Sequence, residues 1–181
     1  KEAINHDDGL KREDLFISSK VWYTYNTKEK LRKCLNDTLR ELQTDYLDLY
    51  ILQWPASFKD AVGVEPDHPF TPSDTEVDFI EMYKNIEEFL KEGKIKNIGV
   101  SNFNKEQLED ILHYCNIKPV TNQIELHPYL QNEELAEFCK KNDIIVSCYG
   151  PLGAGEKYNL PDMPSLLKND CLLSIGKKHN K

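Results

Sequence analysis

The sequence predicts an α/β fold carried by a parallel sheet. Five short apolar runs alternate with five stretches of helical periodicity, and each run ends in a polar or aromatic residue. Alternation of this kind with short links calls for parallel strands joined by crossover helices. Decorated strand ends then point to one face, where the loops assemble a site. A third observation separates a barrel from an open sheet. No G-x-G-x-x-G stands at any strand-to-helix turn, and candidate site residues sit at five strand ends instead of one switch point. The expected architecture is therefore a parallel (β/α)8 TIM barrel. A whole barrel takes about 250 residues, so residues 1–181 are expected to form a single, partial TIM-barrel domain of about five βα units.

The first run, LFISSK, ends at Lys20. Leu31, Cys34, Leu35, Thr38, Leu39 and Leu42 follow at i, i+3, i+4, i+7, i+8 and i+11, one stripe of a helix. The second run, YLDLYILQW, ends at Gln53-Trp54. From Pro55 to about Thr75 the chain has no clear period and carries Pro55, Pro66, Pro69 and Pro72. A long connection at this face is expected to line a binding site, with disorder as the plain alternative. Phe79, Met82, Tyr83, Ile86 and Leu90 make the next stripe, with Ser73 and Glu76 expected as its capping box and Gly93 as its stop. The third run, IKNIGVSN, ends at Ser101-Asn102 and is followed by Leu108, Ile111 and Leu112. VTNQ ends at Gln123, ahead of Leu135, Phe138 and Cys139. IIVSCY ends at Tyr149, and a weaker helical pattern runs from Leu166 to about Lys178.

Composition narrows the function classes. Net charge is −8, and Lys11-Arg12 and Lys177-Lys178 are too short to make a basic patch, so a nucleic-acid partner is not expected. No apolar run approaches the ~18 residues a bilayer span requires, and no membrane partner is expected. Five cysteines form no C-x-x-C pair. Cys34 and Cys139 fall on apolar helical faces, so buried thiols in a reducing, cytoplasmic setting are expected. The chain starts at Lys1 without an initiator methionine and stops at Lys181 just after a helical pattern, and it is read as a piece or variant of something longer.

Three segments in order, DLYILQWP (Asp48 to Pro55), GKIKNIGVSNFN (Gly93 to Asn104) and NQIELHPYLQ (Asn122 to Gln131), closely resemble the aldo-keto reductase family. REDLFISSKVW (Arg12 to Trp22) and YGPLGAG (Tyr149 to Gly155) fit the same family. The resemblance runs through essentially the whole chain and places it from the third barrel strand to the helix after the seventh. It implies a TIM-barrel oxidoreductase in which NADPH, with NADH as the other candidate, delivers a hydride to a small-molecule aldehyde or ketone while a tyrosine protonates the oxygen. A lysine paired with an aspartate keeps that tyrosine acidic. Family habit further implies a monomer.

Carried over by position, the resemblance assigns Lys20 as that lysine, against the plain alternative of a strand-end surface charge. It makes Ser101, Asn102 and Gln123 the groups holding the nicotinamide carboxamide, where helix capping is the other role open to them. Tyr149 becomes the aromatic under the nicotinamide ring, and Gly150, Pro151, Leu152 and Ala154 the pyrophosphate wrap. Trp54 becomes a substrate-pocket wall or a packing residue. The sequence departs from the family at Gln53, where a histidine is usual: its amide can orient a carbonyl by hydrogen bonding but cannot titrate. The family's catalytic tyrosine and aspartate match positions ahead of Lys1, and its last strands and 2′-phosphate grip match positions beyond Lys181. Tyr23 and Tyr25 follow Lys20 too closely to be that tyrosine. The expectation is a chain inactive by itself, with two open parallel edges prone to pairing. A non-catalytic relative that binds cofactor or a protein partner is the alternative.

Other chemistry finds less support. His113 and His127 have no zinc-spaced partners and are expected to be structural, so no metal site is expected. Cys148 lacks a histidine-bearing partner motif and is expected to be a buried small residue. The P-loop pattern is absent.

Overall fold

The computed structural model describes residues 9–56, 78–153 and 165–180. Strands β1 (Ser18–Val21), β2 (Leu49–Leu52), β3 (Ile98–Ser101), β4 (Thr121–Glu125) and β5 (Ile145–Tyr149) form one parallel sheet in the order β1-β2-β3-β4-β5. Between and after them come helices α1 (Lys28–Leu42), α2 (Phe79–Lys91), α3 (Lys105–Tyr114), α4 (Glu133–Lys141) and α5 (Asp170–Lys178). A strictly sequential strand order has no reversal point. That is the wall of a barrel and not a doubly wound sheet.

The strands are shorter than the apolar runs that announced them, except β4, which continues past Gln123 to Glu125. The extension follows from pairing: Ile124 registers with Cys148 and Glu125 with Tyr149 on β5. At the other end, Leu15 to Ile17 stay outside β1. There the Ile17 N–H is taken by the Asp48 carboxylate at 2.9 Å.

Pleating sends alternate residues to opposite faces. Val21, Tyr50, Leu52, Ile98 and Val100 occupy one face and pack with Leu31, Leu35, Met82, Ile86, Phe89, Leu108 and Ile111 in the apolar core. Strand register puts Lys20, Ile51 and Gly99 together on the other face, with Ser101 and Gln123 paired further along it. Gly99 is required there by close approach. A Cβ at this position would meet Thr121 Cγ2 at 2.8 Å and Ile51 Cγ1 at 3.2 Å.

Helix ends follow local chemistry. Thr27 caps α1 by accepting from the Lys30 N–H. Asn104 and Gln107 close a reciprocal capping box on α3, each side chain taking the other's N–H. Helix α2 is capped by Asp78, which accepts from the Ile80 N–H at 2.8 Å. This corrects the expected Ser73–Glu76 box, since the helix begins only at Phe79. Both of those residues lie outside the described residues, as does the long connection from residue 57 to residue 77. Gly93 ends α2 at φ 74°, where the Lys94 N–H reaches back to the Phe89 carbonyl.

Two cysteine expectations divide. Cys139 is buried and Cys34 partly buried, but Cys148 is exposed, as is Cys171. Cys148 projects from the last strand of the described sheet, which has no neighbour beyond it to cover the side chain. Burial pushes the Cys115 thiol up to about 11, so it stays protonated. No helix among the described residues is long and apolar enough to cross a membrane.

Below the N-terminal strand ends, Asp48 ties three segments together. Its carboxylate accepts from the Ile17 N–H and from Arg12 at 2.9 Å, with Lys96 at 3.5 Å, and its carbonyl accepts from Asn97. Arg12 and Lys96 also cover the Tyr46 ring at 4.0 and 3.9 Å. Burial alone would push the Asp48 carboxyl up, but the Ile17 N–H, Arg12 and Lys96 outweigh it and hold it below its ordinary value. A carboxyl depressed in the folded state contributes stability above about pH 4, and that contribution disappears as pH falls through the native value. Asp48→Asn is expected to cost about 2 kcal/mol at neutral pH. It should also flatten the acid limb below about pH 4 in urea denaturation series. Gly99→Ala is expected to cost about 1–3 kcal/mol through overpacking against Thr121, read by the same assay.

Candidate functional site

At the C-terminal end of β3 the backbone makes a tight change of direction. Ser101, nearly fully buried, donates its Oγ–H to the Gln123 carbonyl at 2.8 Å. Asn102 follows at φ 64°, in the left-handed region that Asn tolerates better than other non-glycine residues. Its N–H donates to the same Gln123 carbonyl at 3.0 Å. One acceptor on β4 thus fixes both residues.

The Asn102 side chain joins the neighbouring strands. Its Nδ2 donates to the Gln53 carbonyl at 2.9 Å and to Ser101 Oγ at 3.2 Å. Its Oδ1 accepts the Tyr149 hydroxyl at 2.7 Å. The residues just after β2 and β3 and the last residue of β5 are therefore tied into one network, with Gln123 on β4 beneath it. Burial and the nearby Glu125 carboxylate push the Tyr149 phenol up, so it is a neutral O–H donor near pH 7. The ring edge remains open: Tyr149 is 38% exposed.

Of the residues singled out from the sequence, Gln53, Ser101, Asn102, Gln123 and Tyr149 come together. Lys20 lies on the same face of the sheet, in register with Ile51, and its side chain has no hydrogen bond or ion pair with the described residues. Trp54 follows Gln53 and is half-buried. Gly150, Pro151 and Leu152 make a turn straight after Tyr149, closed by the Gly153 N–H on the Gly150 carbonyl at 2.8 Å. Gly150 takes φ 62°, which glycine adopts at no steric cost. Ala154 lies outside the described residues.

Two contributors were not visible in the sequence. Glu125 registers with Tyr149 and reaches His127, whose Nε2 lies 3.2 Å from Glu125 Oε1. His127 Nδ1 accepts from the Tyr129 N–H at 3.2 Å, so Nε2 carries the proton and donates to Glu125. Period-two spacing from Gln123 could have flagged Glu125 had β4 been extended. The second is Asn122, fully buried on the helix side of β4, which donates to the Phe103 carbonyl at 2.9 Å. Among the described residues no cluster of His, Cys, Asp and Glu could hold a metal ion.

The chemistry of the network is neutral. Amide and hydroxyl groups offer both donors and acceptors at one spot, which suits a neutral, planar amide better than an anion. An aromatic face lies beside them and a lysine stands on the same wall.

Comparison with known proteins bears on this site. A sequence model described as the aldo/keto reductase family matches residues 1–160. Aldo-keto reductase family 1 member A1 of Xenopus tropicalis is 36% identical over 183 residues, covering 100% of this chain and 56% of the relative. Aldose reductase B of Dictyostelium discoideum is 40% identical over 178 residues, covering 95% and 55%. Estradiol 17 beta-dehydrogenase 5 of Mus musculus is 39% identical over 186 residues, covering 97% and 56%. Among solved structures, an aldo-keto reductase complexed with NADPH superposes with a TM-score of 0.85 at 35% identity, covering 99% of this chain and 52% of its own. The chain therefore spans about half the length of the relatives it matches.

Tyr149→Phe removes the donor to Asn102 Oδ1 without altering the ring. The expected cost in thermal stability is under about 1 kcal/mol, because the pair is exposed and water replaces the phenol. The side-chain amide resonances of Asn102 should shift in nitrogen-15 spectra while those of Asn97 stay in place.

Proposed function

The chain belongs to the aldo/keto reductase family, and we propose that it forms the central part of an NADPH-dependent oxidoreductase that reduces aldehydes or ketones to alcohols. The observation that carries this reading is the network centred on Asn102. Its donors and acceptors match a carboxamide, and the NADPH-complexed neighbour aligns over nearly the whole chain. NADH remains the other candidate cofactor. The same reading expects a single partial-barrel domain from a monomeric, cytoplasmic protein.

When bound, the dinucleotide supplies a hydride to the carbonyl carbon. Ser101, Asn102 and Gln123 hold the carboxamide and fix which ring face meets the substrate. Tyr149 offers its ring as a stacking surface, and the turn Gly150-Pro151-Leu152, with Ala154 beyond it, wraps the pyrophosphate. Lys20 would supply a positive charge that makes the proton donor more acidic by stabilising the anion left after it gives up its proton. Gln53 donates an amide hydrogen to the carbonyl and so orients it, while Trp54 walls the substrate side. No tyrosine among the described residues matches the family's proton donor by motif, and the 181-residue chain alone is expected to show no useful turnover.

A second reading rests on Gln53. An amide cannot take up or release a proton near neutral pH, so a non-catalytic relative that binds cofactor or a protein partner fits that substitution. Turnover decides between the two. In a chain carrying a full barrel, Gln53→His should raise kcat strongly under the non-catalytic reading and only modestly under the enzymatic one.

Cofactor binding is tested by titrating NADPH into the protein and following quenching of Trp22 and Trp54 fluorescence. Asn102→Ala is expected to weaken NADPH binding about 10- to 100-fold, the loss of about 1–3 kcal/mol of hydrogen bonding to the carboxamide. An unchanged Kd would remove the carboxamide role from Asn102.

A further inference from the structure

We infer that Asn122 is a positioning residue for the nicotinamide site: its side chain, from the opposite face of β4, locks the left-handed turn that aims Asn102. The functional consequence rests on the cofactor reading above; the structural claim does not. Asn122 is completely buried among apolar residues, registered with Val100 of β3 and with the Cys139 thiol of α4 lying against it. Its Oδ1 has no hydrogen-bond partner. A primary amide in such a place carries an orphaned acceptor, a cost to folding that an apolar residue of the same branching would not incur, so what its amide N–H groups hold has to matter.

That bond runs from Asn122 Nδ2 to the carbonyl of Phe103, 2.9 Å away, the residue immediately after Asn102. On the other side of the turn, Ser101 Oγ and the Asn102 N–H both end on the Gln123 carbonyl. Consecutive residues of β4 therefore hold the chain just before and just after the left-handed residue, one through its backbone and the other through its side chain. A non-glycine residue at φ 64° persists only where its surroundings determine it. Freed on the Phe103 side, Asn102 can relax toward negative φ. Its amide then swings away from the Gln53 carbonyl and the Tyr149 hydroxyl. Phe103 itself is buried and stacked edge-on against Phe79 at 5.5 Å, so the anchor point is rigid. Asn122 does not touch the ligand side of the sheet. Its effect on the site passes through this turn.

The experiment compares Asn122→Leu with Val100→Ala, which removes core packing at the registered position without touching the Phe103 carbonyl. Native-state hydrogen exchange is read at the Asn102 amide, with the Leu108 amide in α3 as reference, alongside the NADPH Kd of the same proteins. In Asn122→Leu, exchange at Asn102 is expected to accelerate at least tenfold relative to Leu108, and NADPH binding to weaken at least tenfold. In Val100→Ala both amides should change together, with Kd within twofold of the parent. The inference is overturned if Asn122→Leu behaves as Val100→Ala does in the exchange ratio. A parent protein that binds no NADPH would sink the cofactor reading, while the exchange ratio would still decide the role of Asn122. Should Asn122→Leu fail to fold, Asn122→Ala carries the same comparison, with an intermediate acceleration expected because water can reach the Phe103 carbonyl.

Discussion

Strand β4 is pleated and paired on both sides, so its residues cannot choose their surroundings. Thr121, Gln123 and Glu125 face the interior of the curved sheet, while Asn122 and Ile124 face the helices. From this one constraint the arrangement of the upper face follows. The Gln123 carbonyl receives two donors from the end of β3, and the Asn122 side chain donates to the carbonyl of Phe103, which comes next. The turn at Asn102 inherits its shape from its neighbour strand, and the Gln53 backbone carbonyl and the Tyr149 hydroxyl are gathered by that turn.

The two ends of the sheet are built from different chemistry. At the lower end, charge does the work: Arg12, Lys96, Asp48 and the Tyr46 ring hold three loops together through ionic and cation–π contacts. At the upper end the Asn102 network is built from neutral groups, and the Lys20 and Glu125 side chains make no hydrogen bond within it. The separation has a physical reason. A fixed ionic cluster at the upper end would compete for the same hydrogen bonds that a neutral ligand must receive.

Much of this was legible in the sequence because barrel chemistry collects where an apolar run stops. Lys20, Gln53, Ser101, Gln123 and Tyr149 could be marked by that rule before any contact was known. Asn122 could not, because in VTNQ it reads as one more polar residue in a short strand, and only the pleat turns it toward the core. The cap on α2 was misplaced because Ser73 and Glu76 carry the right spacing, whereas the start of the helix is set by where Phe79 and Met82 meet the core. Cys148 was misjudged for a related reason: an apolar run suggests burial on both faces, but a strand with a neighbour on one side only leaves its side chains uncovered. The first strand was overestimated because the carboxylate of Asp48 takes the Ile17 N–H for itself.

The handedness of the backbone at Asn102 has a consequence for how this chain tolerates change over time. Two demands meet at that position, one on shape and one on recognition, and different residues satisfy them. Glycine meets the first as well as asparagine does and fails the second, because it has no amide to present. A single drift to glycine would keep the turn and lose the side-chain bonds to the Gln53 carbonyl, Ser101 Oγ and the Tyr149 hydroxyl. A change of that kind would leave the path of the backbone intact while untying the three strand ends that the amide joins.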